Sequence, residues 1–190
     1  RVQQLIVDER LAPAQVARRD RTLHVPIAEA VGTLVAMAAA EDAQIAGWSF
    51  FDRDRLIDAR PDLASEINER YVNALLVAKR WRQKIYPTVK IERGDPYAAK
   101  HTLDKYAILA GYPAVGAFRR ATPARWIRHI LDQLESSGGR YRGTTKQARR
   151  DWHRLLAYNR HDCLALRHIA VKGSHELAAW RAYDRTRFCV

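Results

Sequence analysis

Two cysteines, Cys163 and Cys189, are all the chain holds, and neither a CxxC pair nor a Cys/His cluster of zinc spacing occurs. That scarcity excludes a disulfide scaffold and a zinc finger, and it fits a reducing cytoplasm. Long hydrophobic runs are also lacking. The most apolar stretch, Val25 to Ala40, carries Glu29 and falls short of the ~20 residues that span a bilayer. No signal-peptide pattern opens the sequence, and no internal repeat or low-complexity tract interrupts it. Acidic residues are few: 21 Asp and Glu stand against 33 Lys and Arg, a formal charge of +12. A polyanionic partner follows, because Lys and Arg that neutralise phosphates give nucleic-acid affinity without sequence preference. A solvated basic surface is the other reading of the same charge.

The 190 residues suit one domain with a small appendage, and the 47% hydrophobic and 28% charged content excludes general disorder. A chain of this size buries about 70% of its unfolded surface without help from disulfides or zinc. It starts at Arg1 inside what reads as a strand, Val2 to Val7, so a processed or excised piece is expected. Leu11 to Thr22 reads as a loop or short helix. Pro26 to Ala40 has helical apolar spacing, Ala43 to Trp48 reads as a buried strand, and Phe51 to Ala59 as a short helix stopped by Pro61. Further helices are expected over Ala64–Trp81, Thr102–Ala110 and Pro123–Leu134. Ser136 to Thr145 reads as a flexible connector, followed by a long helix from Lys146 to Val171 that closes at Gly173. Residues 1–172 then form the main domain and residues 173–190 a basic C-terminal helix. Strands early and helices afterwards point to an α/β or α+β layer.

Two segments carry candidate chemistry. In Leu155 to Ile169, Tyr158 and Asp162 lie four residues apart, so on a helix they share one face, and flanking leucines anchor that helix. A carboxylate whose rotamer is held by packing makes a good metal ligand. In Ile45 to Leu56 a buried strand ends at Gly47 and turns into a helix whose early residue is Asp52. Strand ends are where side chains of α/β sheets reach a shared crevice, although Asp at a helix start also complements the macrodipole. Asp54 and Asp58 fall outside the junction and are expected to be solvated. A close approach of Asp52 and Asp162, sharing an ion in one crevice, is the geometric expectation.

Gly47-Trp48-Ser49-Phe50-Phe51-Asp52 resembles the second motif of the DEDD 3′–5′ exonucleases of the ribonuclease H-like fold, and Tyr158-Asn159-Arg160-His161-Asp162-Cys163 resembles their third motif in its YxxxD (DEDDy) version. Cys163-Leu164-Ala165-Leu166, and Thr102 to Tyr106 before Gly111-Tyr112, are similar to the ribonuclease H-like nuclease domains attached to RecB-type nuclease or helicase proteins. The resemblance runs from about Val2 to Ile169 and implies a mixed sheet flanked by helices. It also implies hydrolysis of DNA or RNA, at single-stranded ends, by two Mg²⁺ or Mn²⁺ ions held by four carboxylates. Asp52 and Asp162 would be metal ligands, and Tyr158 would orient the attacking water. Other nuclease or helicase domains of a longer chain would be its partners, with no membrane involved. The histidine version of the third motif needs His where Ala157 stands, so His161 and His153 are expected at the surface.

The family's first motif, a DxE on the first strand, does not occur at the start of this chain. Asp8 and Glu9 are adjacent, which on a strand sends their side chains to opposite faces. The reading that follows makes Val2 to Val7 the second strand, with the first upstream of Arg1. A degenerate homologue that has lost half its metal site is the alternative, and it would act as a non-catalytic nucleic-acid-binding or interaction domain. Basic residues surround Trp81 at Lys79, Arg80, Arg82 and Lys84, and Arg140, Arg142, Lys146, Arg149 and Arg150 flank the Ser-Gly stretch. A mobile basic loop beside the crevice would guide a phosphate backbone, and interleaved aromatics allow base stacking. Ser49, Lys105, Arg142 and Lys146 are the candidate nucleic-acid contacts, whereas Trp126, Trp152 and Trp180 fit core positions.

Overall fold

A computed structural model of the chain describes residues 4–16, 22–91, 101–113 and 122–187. Its secondary structure is mixed α/β and dominated by helix. The strands are short and form two separate parallel pairs, where the resemblance to ribonuclease H-like nucleases implies one mixed sheet. Strand β1 (Gln4–Ile6) pairs with β2 (Thr22–His24), and β3 (Ile45–Gly47) pairs with β4 (Tyr71–Asn73). Between β1 and β2 the chain makes a 3₁₀ turn over Glu9–Val16. Helix α1 (Ile27–Ala40) starts directly after Pro26, whose carbonyl accepts Ala30 N at 3.0 Å. Its buried residues Val31, Val35 and Ala38 recur at i, i+4 and i+7 and pack on Ile45 and Ile67. Arg70 donates to Ala38 O and Ala43 O at 3.4 and 3.3 Å, so one guanidinium satisfies carbonyls at both sides of the turn into β3.

Helix α2 (Phe50–Ala59) follows β3 as expected. The single helix expected over Ala64–Trp81 is instead α3 (Ala64–Arg70), strand β4, and α4 (Ala74–Ile85). Apolar spacing continues through the break, which hid it. What breaks it is pairing: the backbone groups of β3 need partners, Tyr71 and Val72 suit extended backbone, and Asn73 caps the restart by accepting Leu76 N at 3.1 Å.

Helix α5 (Leu103–Leu109) ends before Gly111, which sits at φ +70°. Helix α6 (Pro123–Ser136) ends in two left-handed glycines, Gly138 and Gly139, and Gly139 N returns to Leu134 O at 2.8 Å. The connector expected to be flexible has a defined conformation. Tyr141 and Thr144 are buried, the Thr144 hydroxyl donates to Tyr141 O at 2.7 Å, and Arg149 donates to the Thr144 carbonyl. Thr145 Oγ1 then accepts Ala148 N at 3.2 Å and caps helix α7 (Lys146–Arg187).

Helix α7 is continuous, and Gly173 lies inside it instead of closing it. Packed by α6, α5 and α4, it serves two cores. Its first part adds Ala148, Trp152, Leu155 and Leu156 to Ile6, Leu11, Ile130 and Leu134. Further on, buried His161, Ala165, Ile169, Gly173 and Leu177 recur every four residues. Four residues overshoot one turn by about 40°, so this stripe winds around the axis and meets different helices in turn. At Gly173 the neighbour is Trp81, fully buried, whose indole N–H donates to Glu176 at 2.7 Å. Trp81 is therefore core, not a base-stacking platform, and Lys84 lies over the ring of Trp180 at 4.8 Å.

A Cβ added at Gly173 would meet Trp81 at 3.4 Å, an ordinary contact. Gly173→Ala should stabilise by up to ~1 kcal/mol through helix propensity, and Gly173→Leu should cost about 1–3 kcal/mol by overpacking. Urea unfolding checks both; a helix that ended at Gly173 in a left-handed cap would instead lose stability with alanine.

Candidate active site

Tyr158 and Asp162 stand one turn apart on α7, and the phenol hydrogen-bonds the carboxylate. On its other side the Tyr158 ring meets Trp126 edge-on, with centroids 6.4 Å apart. Burial, then the charges of Asp162 and Asp104, push the Tyr158 hydroxyl up to about 12, so at neutral pH it is a proton-bearing donor. Asp162 is half-buried. Burial raises its pKa, the Tyr158 hydrogen bond lowers it, the like charge of Asp104 raises it again, and His161 lowers it; the net direction is upward. The charge of Asp104 on α5 thus acts on Asp162 of α7.

Asp104 belongs to the first turn of α5. Residue spacing gave no sign of it as a site residue, because its relation to Asp162 arises only when α5 packs on α7. His161 is buried, not at the surface as expected, and its ring lies 5.3 Å from that of Tyr112. The signal that could have found it is its i, i+4 step to Ala165 on the buried stripe. His153 is exposed.

Asp52 sits at the strand end, as expected, and its immediate partners are those of a helix cap. Its carboxylate accepts Ser49 N at 2.8 Å, and Asp52 N returns to Ser49 O at 3.2 Å. The Tyr71 hydroxyl donates to the same Ser49 carbonyl, and burial together with the charge of Asp52 pushes that phenol up to about 12. Gly47 makes the arrangement possible: a Cβ there would run into the Tyr71 hydroxyl and sit 2.9 Å from Asp52 Cβ. The next residue, Trp48, accepts Leu75 N at 3.2 Å and packs its ring on Tyr106 at 5.7 Å. Trp48 and Tyr106 share one core with Ala165 and Ile169 of α7, so the β3 end and the Asp162 helix are joined through α5.

Asp54 and Asp58 pair with Arg53 and Arg55 at 2.7 and 3.4 Å on the surface of α2. Asp8 lies beyond β1, where Arg10 grips its carboxylate at 3.0 and 2.7 Å. Among the described residues, no group of three or more His, Cys, Asp and Glu converges to hold a metal. Asp104 and Asp162 are the oxygen donors that fit a hard divalent cation, which would relieve the repulsion between them.

Lys105 is the neighbour of Asp104 on α5. Arg142 and Lys146 are exposed, on the turn before α7 and at its first residue. At 1.5 Å per residue Lys146 lies about 24 Å along α7 from Asp162, so this basic turn sits well away from the carboxylates along the helix. Comparison with known proteins finds no family model, no curated protein and no solved structure that matches the chain.

A carboxyl whose folded pKa is raised contributes stability fully below its unfolded value, here 3.8, and loses it as pH rises through the folded value. In metal-free buffer, Asp162→Asn should therefore unfold at a higher temperature than the parent at neutral pH, with the difference disappearing below pH 3.8. Thermal melts of both proteins across that range test it, and a variant less stable at neutral pH would contradict it. Gly47→Ala should cost about 1–3 kcal/mol by displacing Tyr71 or the α2 turn, read by urea unfolding.

Proposed function

We propose that the chain is a ribonuclease H-like nuclease domain that hydrolyses phosphodiester bonds of DNA or RNA with Mg²⁺ or Mn²⁺, of the 3′–5′ exonuclease type. The observation that carries the reading is the group on α7 and α5: Asp162, hydrogen-bonded by the protonated Tyr158, with the like-charged Asp104 acting on it. A carboxylate perturbed by burial and a specific charged neighbour is a candidate functional group. The core shared by Trp48, Tyr106 and Ile169 adds support, since it ties the end of β3 to the Asp162 helix. The sequence's excess of basic residues suits a phosphate backbone.

In this reading Asp162 and Asp104 hold the cation, with Asp52 as a further ligand. A bound divalent ion would supply acidified water and charge stabilisation of the departing oxygen. Tyr158 does the rest from the chain's side: its hydroxyl fixes the Asp162 rotamer and offers its oxygen to position water. Burial on α7 keeps that pair pre-organised.

One observation favours a second reading, a binding domain on the same fold. The Asp52 carboxylate accepts the Ser49 N–H and serves the α2 cap. The assay that separates the two uses the natural full-length protein and end-labelled single strands. Cleavage should require Mg²⁺ or Mn²⁺, fall on the order of 100-fold or more with Asp162→Asn, and fall about 10-fold with Tyr158→Phe, as for groups that orient a ligand. Salt-sensitive binding that survives Asp162→Asn with no cleavage under any metal would establish the second reading instead.

A further inference from the structure

Helix α6 and the first turns of α7 build a second polar cluster, separate from Tyr158 and Asp162. Its centre is Asp151, 7% exposed, which a protein interior tolerates only when the charge is partnered. The partners are His129 Nδ1 at 2.7 Å, Gln147 Nε2 at 2.9 Å and Arg154 at 3.5 Å. The carboxylate at Nδ1 holds the imidazole ring in place, with Nε2 on the far side of the ring from Asp151. The ring lines a cavity of about 520 Å³ together with Arg125, Arg128, Arg154, Trp126 and Asp132.

The sequence spacing explains the convergence. Arg125, Arg128, His129 and Asp132 recur at i, i+3, i+4 and i+7 on α6, and Gln147, Asp151 and Arg154 at i, i+4 and i+7 on α7. Two polar helix faces therefore meet across one cavity. Three guanidinium groups oppose two carboxylates, one of which is engaged by His129. Among the described residues, neither Arg125 nor Arg128 is ion-paired. That balance selects an anion. Planar guanidinium forks match phosphate oxygens in pairs. The volume exceeds what an inorganic ion needs, and the Trp126 indole on the wall offers an apolar face to a sugar or base.

We propose that this cavity binds a phosphate group carried by a nucleotide, free or at the end of a strand, with Arg125, Arg128 and Arg154 on the phosphate oxygens and the His129 ring, held in place by Asp151, beside them. The site does not depend on cleavage at Asp162.

The test uses the full chain, with binding followed by calorimetry and by the imidazole resonances of His129. Nucleoside 5′-monophosphate and a short 5′-phosphorylated single strand should both shift those resonances, and the matching nucleoside and 5′-hydroxyl strand should bind about 10-fold more weakly. The double variant Arg125→Gln/Arg128→Gln, exposed positions that leave the core intact, should weaken the phosphorylated ligands by about 10-fold or more. The same charge change at exposed Arg55 and Arg167, Arg55→Gln/Arg167→Gln, should leave them unaffected. A strand that binds tighter than the mononucleotide identifies a strand end as the source of the phosphate, and equal affinity identifies the free nucleotide. Equal loss in both double variants, or no shift at His129, overturns the proposal.

Discussion

The indole of Trp81 fills the notch that Gly173 leaves in α7, and the position of almost everything else in the candidate site follows from that contact. The small residue at Gly173, where a methyl would make only an ordinary contact but a larger side chain would overpack, lets α4 approach α7 closely enough to bury Trp81 completely, and Glu176 one turn on accepts its N–H. A buried Trp contributes about 3–5 kcal/mol against truncation, several times a typical exposed ion pair. Asn73 then caps α4, β4 pairs with β3, and the end of β3 places Trp48 on Tyr106. The end of β3 before the Asp52 turn and the helix that carries Asp162 are thus joined by packing.

Against that frame the electrostatics of Asp162 run uphill. Burial and Asp104 both disfavour its ionised form, and one hydrogen bond from Tyr158 together with the nearby His161 offsets only part of the cost. Such an arrangement weakens the fold at neutral pH. Asp151 shows the opposite solution on the same helix. It is more deeply buried, yet three donors surround it and His129 is aligned by it. The two aspartates, three turns apart, mark two polar places on one helix that also contributes to two cores.

Local signals were legible where one residue decides the backbone. Pro26 before α1, Gly111 after α5 and the Asp52 turn after β3 all follow from the sequence. The break at Tyr71–Asn73 was not legible, because helical spacing persists through it and only the pairing with β3 decides. Gly173 misled for a related reason: a glycine late in a periodic run reads as a helix end, whereas here it admits Trp81. Gly138 and Gly139 do end a helix, but the buried Tyr141 and Thr144 beyond them turn a Ser-Gly stretch into a defined corner. Within the site, Tyr158 and Asp162 were visible as an i, i+4 pair, but Asp104 was not, since it is distant in sequence and comes near only through packing of α5 on α7.

The central claim is that Asp104 and Asp162 together take a divalent cation, and Mn²⁺ titration followed by NMR tests it most directly. Paramagnetic broadening should begin at the resonances of Asp104, Tyr158 and Asp162, at substoichiometric Mn²⁺, and competing Mg²⁺ should reverse it. Broadening that starts elsewhere on the molecule, or spreads evenly over exposed carboxylates such as Asp54 and Asp58, would contradict it.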